Sequence, residues 1–357
     1  MRILQLNFEK GWRGGERQTL ICMRQFRAAG HHVALLARRG EPLARAARGD
    51  GFEVYEAGSV ASLCMQLLGI AREFDLLHAQ TANTLTWLAT LKPLLRRPVA
   101  FTRRTAFPVS EKKRAKTLWK WRRADLFVAI SEAAAAEPRR LGLTVEVIPS
   151  AIEARVLNMD RAREFSERHQ LAGRKVIATV SALTREKDPC TLVRAVHELG
   201  RTRNDFVFVH LGGGGDAEQP ARDLVAELGL NDRYLFAGFQ QGVEDLYRLM
   251  DVFVMASKQE ALGSSVLDAF VYSVPVVSTD AGGLAEVVGD DRGLLCKVGD
   301  HQALAASIQQ ILSDGQLRNR LVQNAHAYVL EHHDPRRMAH RYLDAFKAAV
   351  TRFAARG

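Results

Sequence analysis

Cysteine is scarce in this sequence. Cys22, Cys64, Cys190 and Cys296 lie far apart in 357 residues, with no C-x-x-C spacing, so neither a disulfide framework nor a zinc site is indicated. They read most simply as small buried apolar residues. No apolar stretch approaches the roughly 20 residues that a membrane span needs. The N-terminus, Met1-Arg2-Ile3-Leu4-Gln5-Leu6, enters a strand-like run without the apolar core of a secretory leader. These absences point to a cytoplasmic protein with at most peripheral membrane contact. There is no short-period repeat, no low-complexity tract and no Asp-x-Asp triplet. Without that triplet a divalent-metal clamp is not required, and no cofactor is expected.

What is present is an ordinary globular composition, 47% hydrophobic and 25% charged, enough for a large core and, at this length, for two domains. The formal charge is +10, which suggests an anionic partner: nucleic acid, an acidic membrane face or a phosphorylated ligand. Residues 1–160 hold 26 basic and 15 acidic side chains, a net of +11, whereas residues 161–357 hold 24 and 25, a net of −1. All of the excess lies in the first half.

Short apolar runs at residues 3–6, 33–36, 76–77, 99–101, 126–130 and 145–148 alternate with helical patterns, the βαβ rhythm of a parallel sheet. In residues 15–29, Leu20, Met23 and Phe26 recur at spacing three, and Gly30 follows as a helix stop. A polar stretch over 153–174 separates this half from a second series of strands at 176–180, 206–211, 234–236, 252–255 and 276–278. Closing helices are expected over 302–313, 317–330 and 337–354. The predicted class is α/β, with two doubly wound domains placing the carboxyl ends of their strands around one cleft.

The first loop, Gly11-Trp12-Arg13-Gly14-Gly15-Glu16, is neither G-x-G-x-x-G nor a Walker loop. Its adjacent glycines before a helix allow close approach to a phosphate or sugar oxygen; alternatively it is a tight turn with Glu16 serving the helix start. The strongest local pattern is Ser257-Lys258-Gln259-Glu260-Ala261-Leu262-Gly263-Ser264-Ser265-Val266-Leu267-Asp268. A strand end, a carboxylate, a glycine and two serines opening a helix make a pocket whose N–H groups can hold a diphosphate. Ser265-x-x-Asp268 is equally a capping-box pattern. A second glycine turn, Thr279-Asp280-Ala281-Gly282-Gly283, is expected to open beside the first.

In this order Gly14-Gly15-Glu16, Ala129-Ile130-Ser131-Glu132, Val147-Ile148-Pro149-Ser150, Glu186-Lys187, Glu260-x7-Asp268 and the 275–283 segment resemble the retaining GT4-family glycosyltransferases of GT-B architecture. The resemblance spans nearly the whole chain. It implies two Rossmann-like domains, an acceptor-side domain over 1–160 and a donor-binding domain over 161–336, with residues 337–357 forming a helix that crosses back to the first. It also implies that Glu260 holds donor-sugar hydroxyls and that Asp268, one methylene shorter than the family's Glu, holds the ribose. The amides of Leu262, Gly263, Ser264 and Ser265 line the diphosphate, and Lys187 faces the leaving group. A family Arg is replaced in Ser181-Ala182-Leu183, and Arg185 is a substitute cation. Gly213, in the run 211–216, resembles the glycine turn near the nucleotide, with a flexible loop as its alternative. In the first half, His78 and the pair Arg103 and Arg104, which follow strands, are acceptor or cleft candidates together with Glu16. His78 is alternatively a structural histidine.

The segment Lys112-Lys113-Arg114-Ala115-Lys116-Thr117-Leu118-Trp119-Lys120-Trp121-Arg122-Arg123 suits an acidic headgroup region, or is a solvated helix face with its tryptophans in the core. No nucleic-acid motif accompanies it, so no nucleic-acid partner is expected. The expected function is a hexosyltransferase moving sugar from a nucleotide-diphosphate donor to a glycolipid or saccharide acceptor, in bacterial envelope or lipopolysaccharide synthesis on the inner face of the cytoplasmic membrane. The rivals are a nucleotide-sugar epimerase of the same fold and a non-catalytic binder of acidic glycolipid.

Overall fold

The computed structural model describes residues 1–356, which divide into two compact units. The chain leaves the first unit after Glu153 and re-enters it at His333, rather than at 160 and 336. Helical connections join successive strands, the one between residues 238 and 252 being a 3-10 segment over Val243–Leu249, and the strand pairings of both sheets are parallel.

In the first unit the elements run β1 (Arg2–Asn7), α1 (Gly14–Ala28), β2 (His32–Arg38), α2 (Pro42–Gly49), β3 (Glu53–Ala57), α3 (Val60–Ile70) and β4 (Leu76–Ala79). They continue with α4 (Ala82–Leu95), β5 (Val99–Arg103), α5 (Glu111–Trp121), β6 (Leu126–Ala129), α6 (Glu132–Arg140) and β7 (Glu146–Val147). The second unit holds α7 (Met159–Arg168), β8 (Lys175–Val180), α8 (Pro189–Leu199), β9 (Phe206–Leu211), α9 (Glu218–Glu227), β10 (Tyr234–Gly238) and β11 (Val252–Met255). It closes with α10 (Ser264–Val271), β12 (Val276–Thr279), α11 (Gly283–Val288), β13 (Leu294–Cys296), α12 (His301–Ser313) and α13 (Gly315–His332). The last helix, α14 (Pro335–Ala354), belongs to the first unit.

The first sheet has the order β3-β2-β1-β4-β5-β6-β7 and the second β10-β9-β8-β11-β12-β13. In each, the strand order reverses once, between β1 and β4 and between β8 and β11. Those reversals are the topological switch points at which open α/β sheets take ligands.

Both units have their own core. The first gathers Ile3, Leu20, Met23, Phe26, Leu35 and Leu76 with Tyr342 and Phe346 of α14; the second gathers Ile177, Val193, Phe208, Val254 and Leu304. Helix α14 docks because Met338, Tyr342, Phe346 and Ala349 share one buried stripe, with Phe26 edge-on to Tyr342 and Phe346 at 6.0 and 5.6 Å. Its start is fixed by Pro335 and by the Asp334 carboxylate, which accepts the Arg337 N–H at 2.7 Å. Periodicity does not predict β3 or β13. β3 is a sheet edge carrying Glu53 and Glu56, charges that protect an edge and hide the strand signal. β13 is a three-residue edge. The polar stretch over 153–174 contains α7, with only Ala162 and Phe165 buried.

Candidate active site

The switch point of the second sheet brings together the loop after β8 and the loop after β11. In the first of these, the Thr184 carbonyl accepts the N–H groups of Lys187 and Asp188 at 3.0 and 3.2 Å, a turn that leads into Pro189 at the start of α8. In the second, Glu260 precedes Gly263, whose left-handed backbone (φ +91°) makes it the N-cap of α10. Lys187 Nζ and Glu260 Oε2 form an ion pair across the two loops, with both side chains mostly buried. Lys258 adds two more ties: its N–H donates to the Glu186 carbonyl at 2.8 Å, and its ammonium lies 3.1 Å from Asp188 Oδ2. Sequence reasoning missed Asp188 and Lys258. Their adjacency to Lys187 and near Glu260 was the available signal.

The glycine turn 279–283 does open beside this loop. Gly283 N–H donates to the Glu260 carbonyl at 2.9 Å and Thr279 Oγ1 to the Ser257 carbonyl at 2.7 Å. A Cβ on Gly283 would sit 2.2 Å from the Ala261 carbonyl oxygen and one on Gly263 2.5 Å from Leu284 Cδ2. Neither position accepts a side chain as built. Ser264 and Ser265 occupy the first turn of α10, where backbone N–H groups have no intrahelical acceptor, while Leu262 is buried behind them. The capping box does not form: the N-cap is Gly263, two residues before the Ser265 that the box requires, with no side-chain cap bond. Asp268 is buried in the body of that helix.

Two further donor-side candidates lie outside the ion pair. Arg185 is paired with Asp216: its N–H and guanidinium meet that carboxylate at 3.0 and 3.1 Å on an exposed surface. In the glycine run, Gly213 has room for a Cβ, 3.8 Å from its nearest neighbour. The obligatory glycines are Gly212 and Gly215, both at φ +137°, where a Cβ would lie 2.0 Å from the Ser181 carbonyl oxygen and 2.3 Å from that of Leu183. This turn packs on the 181–183 loop, and the Leu183 N–H donates to the Gly214 carbonyl at 3.1 Å.

The first unit sorts its candidates differently. Glu16 is buried and serves the helix start, accepting the Arg13 N–H at 3.0 Å and the Asn7 amide at 3.2 Å; it is not a cleft residue. Gly14 and Gly15 open α1, and a Cβ on Gly15 would lie 3.9 Å from Arg104 Cδ. Arg104 reaches over the same turn to Gln80 Oε1 at 2.5 Å and Ser150 Oγ at 3.3 Å. Arg103 is turned inward instead, donating to the carbonyls of Ala134 and Phe107 and stacking over Trp121 at 5.1 Å, and burial lowers its pKa to about 10. His78 is fully buried under α14, 5.1 Å from Phe346 and 2.8 Å from Thr102 Oγ1. Burial, then the Arg104 charge, hold its pKa down at about 3, so it is a neutral core residue, the structural alternative, rather than an acceptor or cleft residue. On α5, Trp121 is in the core while Trp119 and the lysines at 112, 113 and 116 are exposed.

A doubly wound sheet with a cation, a carboxylate and a glycine-capped helix at its switch point is the arrangement of proteins that take phosphorylated ligands at strand carboxyl ends. Two family models match: glycosyl transferases group 1 over residues 160–328 and glycosyltransferase family 4 over residues 12–156. The lipopolysaccharide core biosynthesis glycosyltransferase LpsE of Rhizobium meliloti is 32% identical over 173 residues, 48% of each chain. The 2-deoxystreptamine glucosyltransferase of Streptomyces kanamyceticus is 32% identical over 209 residues, 55% of this chain and 53% of that one. The chain thus spans about half the length of these curated relatives. Among solved structures, HepE of Anabaena in complex with UDP-glucose aligns with a TM-score of 0.87 at 21% identity, covering 98% of this chain and 100% of that one. The lipopolysaccharide outer core galactosyltransferase WaaB aligns at 0.69 and 14%, covering 98% and 99%. The fold is GT-B, and the chain belongs to the GT4-type glycosyltransferases.

Proposed function

We propose that this protein is a retaining glycosyltransferase that moves a hexose-like sugar from a nucleotide-diphosphate donor to an acceptor hydroxyl. The observation that carries the reading is the Lys187–Glu260 pair at the carboxyl ends of β8 and β11, beside the start of α10. An ammonium has three donors, so Lys187 can keep Glu260 and still meet a diphosphate oxygen. Glu260 then accepts sugar hydroxyls, and the α10 amides with their helix dipole face the phosphates. In the step itself, the bond from the anomeric carbon to the diphosphate oxygen breaks with its electron pair, the acceptor oxygen bonds the same carbon from the same face, and the acceptor proton passes to the departing oxygen. The charge that develops on the diphosphate is what Lys187 and the amides stabilise. No divalent metal is required in this scheme. Asp268 is assigned to the nucleotide ribose and Gly213 to the nucleotide.

The relatives' names support a saccharide or glycolipid acceptor, as in lipopolysaccharide core synthesis. No helix among the described residues is long and apolar enough to cross a membrane; peripheral contact with an anionic membrane, through the basic face of α5 and the turn after it, is part of the proposal. So is a cytoplasmic location.

Transfer from UDP-glucose and other nucleotide sugars, with the wild type as reference, tests the reading. Lys187→Ala and Glu260→Ala each abolish turnover while thermal unfolding stays cooperative; wild-type turnover in either variant removes that residue from the site. A donor bound at 100 times its Kd raises stability by about 2.7 kcal/mol, so a thermal-shift screen identifies the nucleotide. Activity that disappears with a chelator and returns with manganese contradicts metal independence. Conversion of the nucleotide sugar without any acceptor favours an epimerase, and no turnover at all a binder.

A further inference from the structure

Helix α3 contains no charged residue in its sequence Val60-Ala-Ser-Leu-Cys-Met-Gln-Leu-Leu-Gly-Ile70, and α4 contains only Lys92. Lys92 is already engaged, 2.7 Å from the Asp125 carboxylate. Leu63 and Leu67 fill the inward stripe of α3 and are fully buried. The opposite side does not become polar, as it does on a surface helix of a globular protein. Met65 is 67% exposed, Leu68 44% and Val60 43%, and Leu94 at the end of α4 is 59% exposed. The only polar side chains of α3 are Ser62 and Gln66, and Gln66 is turned to the Glu56 carbonyl at 2.8 Å; an outer side that apolar, lying on the surface, is covered by something in use.

The topology identifies the neighbours of that patch. The crossovers β3 to β4, β4 to β5 and β5 to β6 all step in one direction along the sheet, and right-handed crossovers then place α3, α4 and α5 on the same sheet face. Helix α3 packs on α4 and α4 on α5, so the three form one layer with a common outer side. On that side α5 exposes Lys112, Lys113, Arg114 and Lys116 against a single acid, Glu111. Beside them Trp119 is 39% exposed under the Arg123 guanidinium at 4.3 Å.

We propose that α3 is an interfacial insertion element: the α3–α4–α5 layer seats on an anionic lipid bilayer, with Met65, Leu68 and Val60 entering the acyl boundary while the α5 cations meet headgroups. The inference rests on the reading that α5 seeks an anionic surface and adds the apolar half of the contact. Both halves match one occupant. A bilayer presents negative charge and, a few ångströms deeper, hydrocarbon. A second copy of this chain matches poorly, because a two-fold interface through this layer sets the α5 cations either against themselves or against the apolar α3 patch, where they are desolvated without a partner. Nucleic acid satisfies α5 and leaves α3 in water.

Cosedimentation of the full chain with vesicles of phosphatidylglycerol and phosphatidylcholine in equal parts, and of phosphatidylcholine alone, reads both halves. The wild type binds the anionic vesicles and keeps residual binding at 1 M salt, where the screening length is about 3 Å. Met65→Glu/Leu68→Glu, changes at exposed positions that leave the fold intact, lowers partitioning by at least roughly tenfold and removes the salt-resistant part. Lys112→Glu/Lys113→Glu/Lys116→Glu removes the salt-sensitive part instead. Wild-type partitioning by the α3 variant overturns the insertion proposal and leaves the α5 reading standing. Wild-type partitioning by the α5 variant overturns the α5 reading. A wild-type dimer that the α3 variant converts to monomer assigns the patch to self-association and overturns the proposal.

Discussion

The Asp188 carboxylate lies 3.1 Å from the Lys258 ammonium and accepts the Thr191 hydroxyl at 2.7 Å. Asp188 is buried and adopts a left-handed backbone, φ +48°, a conformation unfavourable for most residues with a side chain and tolerated by Asp and Asn. The contacts of its carboxylate favour an acid there. They also tie the Lys187 loop to the Glu260 loop at a second point, Asp188 being one residue from Lys187 and Lys258 two residues from Glu260.

Asp188 and Lys258 are therefore expected to position the pair. Asp188→Gly relaxes the backbone, so its melting temperature stays within a few degrees of wild type, yet kcat falls on the order of tenfold or more because a reacting group is no longer held to a fraction of an ångström. Asp188→Asn keeps an acceptor for Thr191 and retains more activity than the glycine variant. Lys258→Met added to Asp188→Asn costs less than the sum of the two alone, the signature of a shared contact. Equal kcat in Asp188→Gly and wild type sinks the idea.

The glycine turn gives a sharper contrast. At Gly212 and Gly215 a Cβ collides with backbone carbonyls that cannot rotate away, so Gly212→Ala and Gly215→Ala each destabilise the second unit by about 3 kcal/mol or more. Gly213→Ala, with its neighbours at 3.8 Å, leaves stability within about 0.5 kcal/mol and changes only the donor KM if the nucleotide lies there. Urea unfolding of the three variants decides it; equal losses at Gly212 and Gly213 contradict the geometry.

Much of this was legible from sequence, and the divisions are physical. Central strands such as Phe206–Leu211 are buried on both faces and so read as continuous apolar runs; the edges β3 and β13 carry charge or are too short to show a period. The Glu260 loop was accessible because a carboxylate, a glycine and two serines follow a strand, whereas Lys187 was legible only through the family resemblance, since a lone loop lysine carries no pattern of its own. What could not be read was direction. Arg103 and Arg104 are consecutive, so on leaving β5 one turns into the core and the other toward α1, and charge alone does not say which. Arg185 is likewise diverted by Asp216, a partner 31 residues away. His78 reads as a cleft candidate in a linear sequence because the helix that covers it, α14, is supplied by the far end of the chain.

Buried neutral histidines give stability a defined pH dependence. His78 and His210 are fully buried; burial foremost lowers their folded pKa values to about 3 and about 4, below the ordinary 6.5 of the unfolded chain. The stabilisation that goes with the neutral form is therefore complete above pH 6.5. It declines as pH falls, because the unfolded chain takes up protons that the folded protein refuses, and the decline ends only below the folded values. Between pH 6.5 and 5 each histidine costs about 2 kcal/mol, at about 1.4 kcal/mol per pH unit. His78→Gln removes one of these titrations: whatever its stability at pH 7, the gap to wild type narrows by about 2 kcal/mol by pH 5. Urea midpoints at pH 7, 6 and 5 measure that gap, and a gap independent of pH means that His78 titrates alike in the folded and the unfolded chain, so that burial does not hold its pKa down.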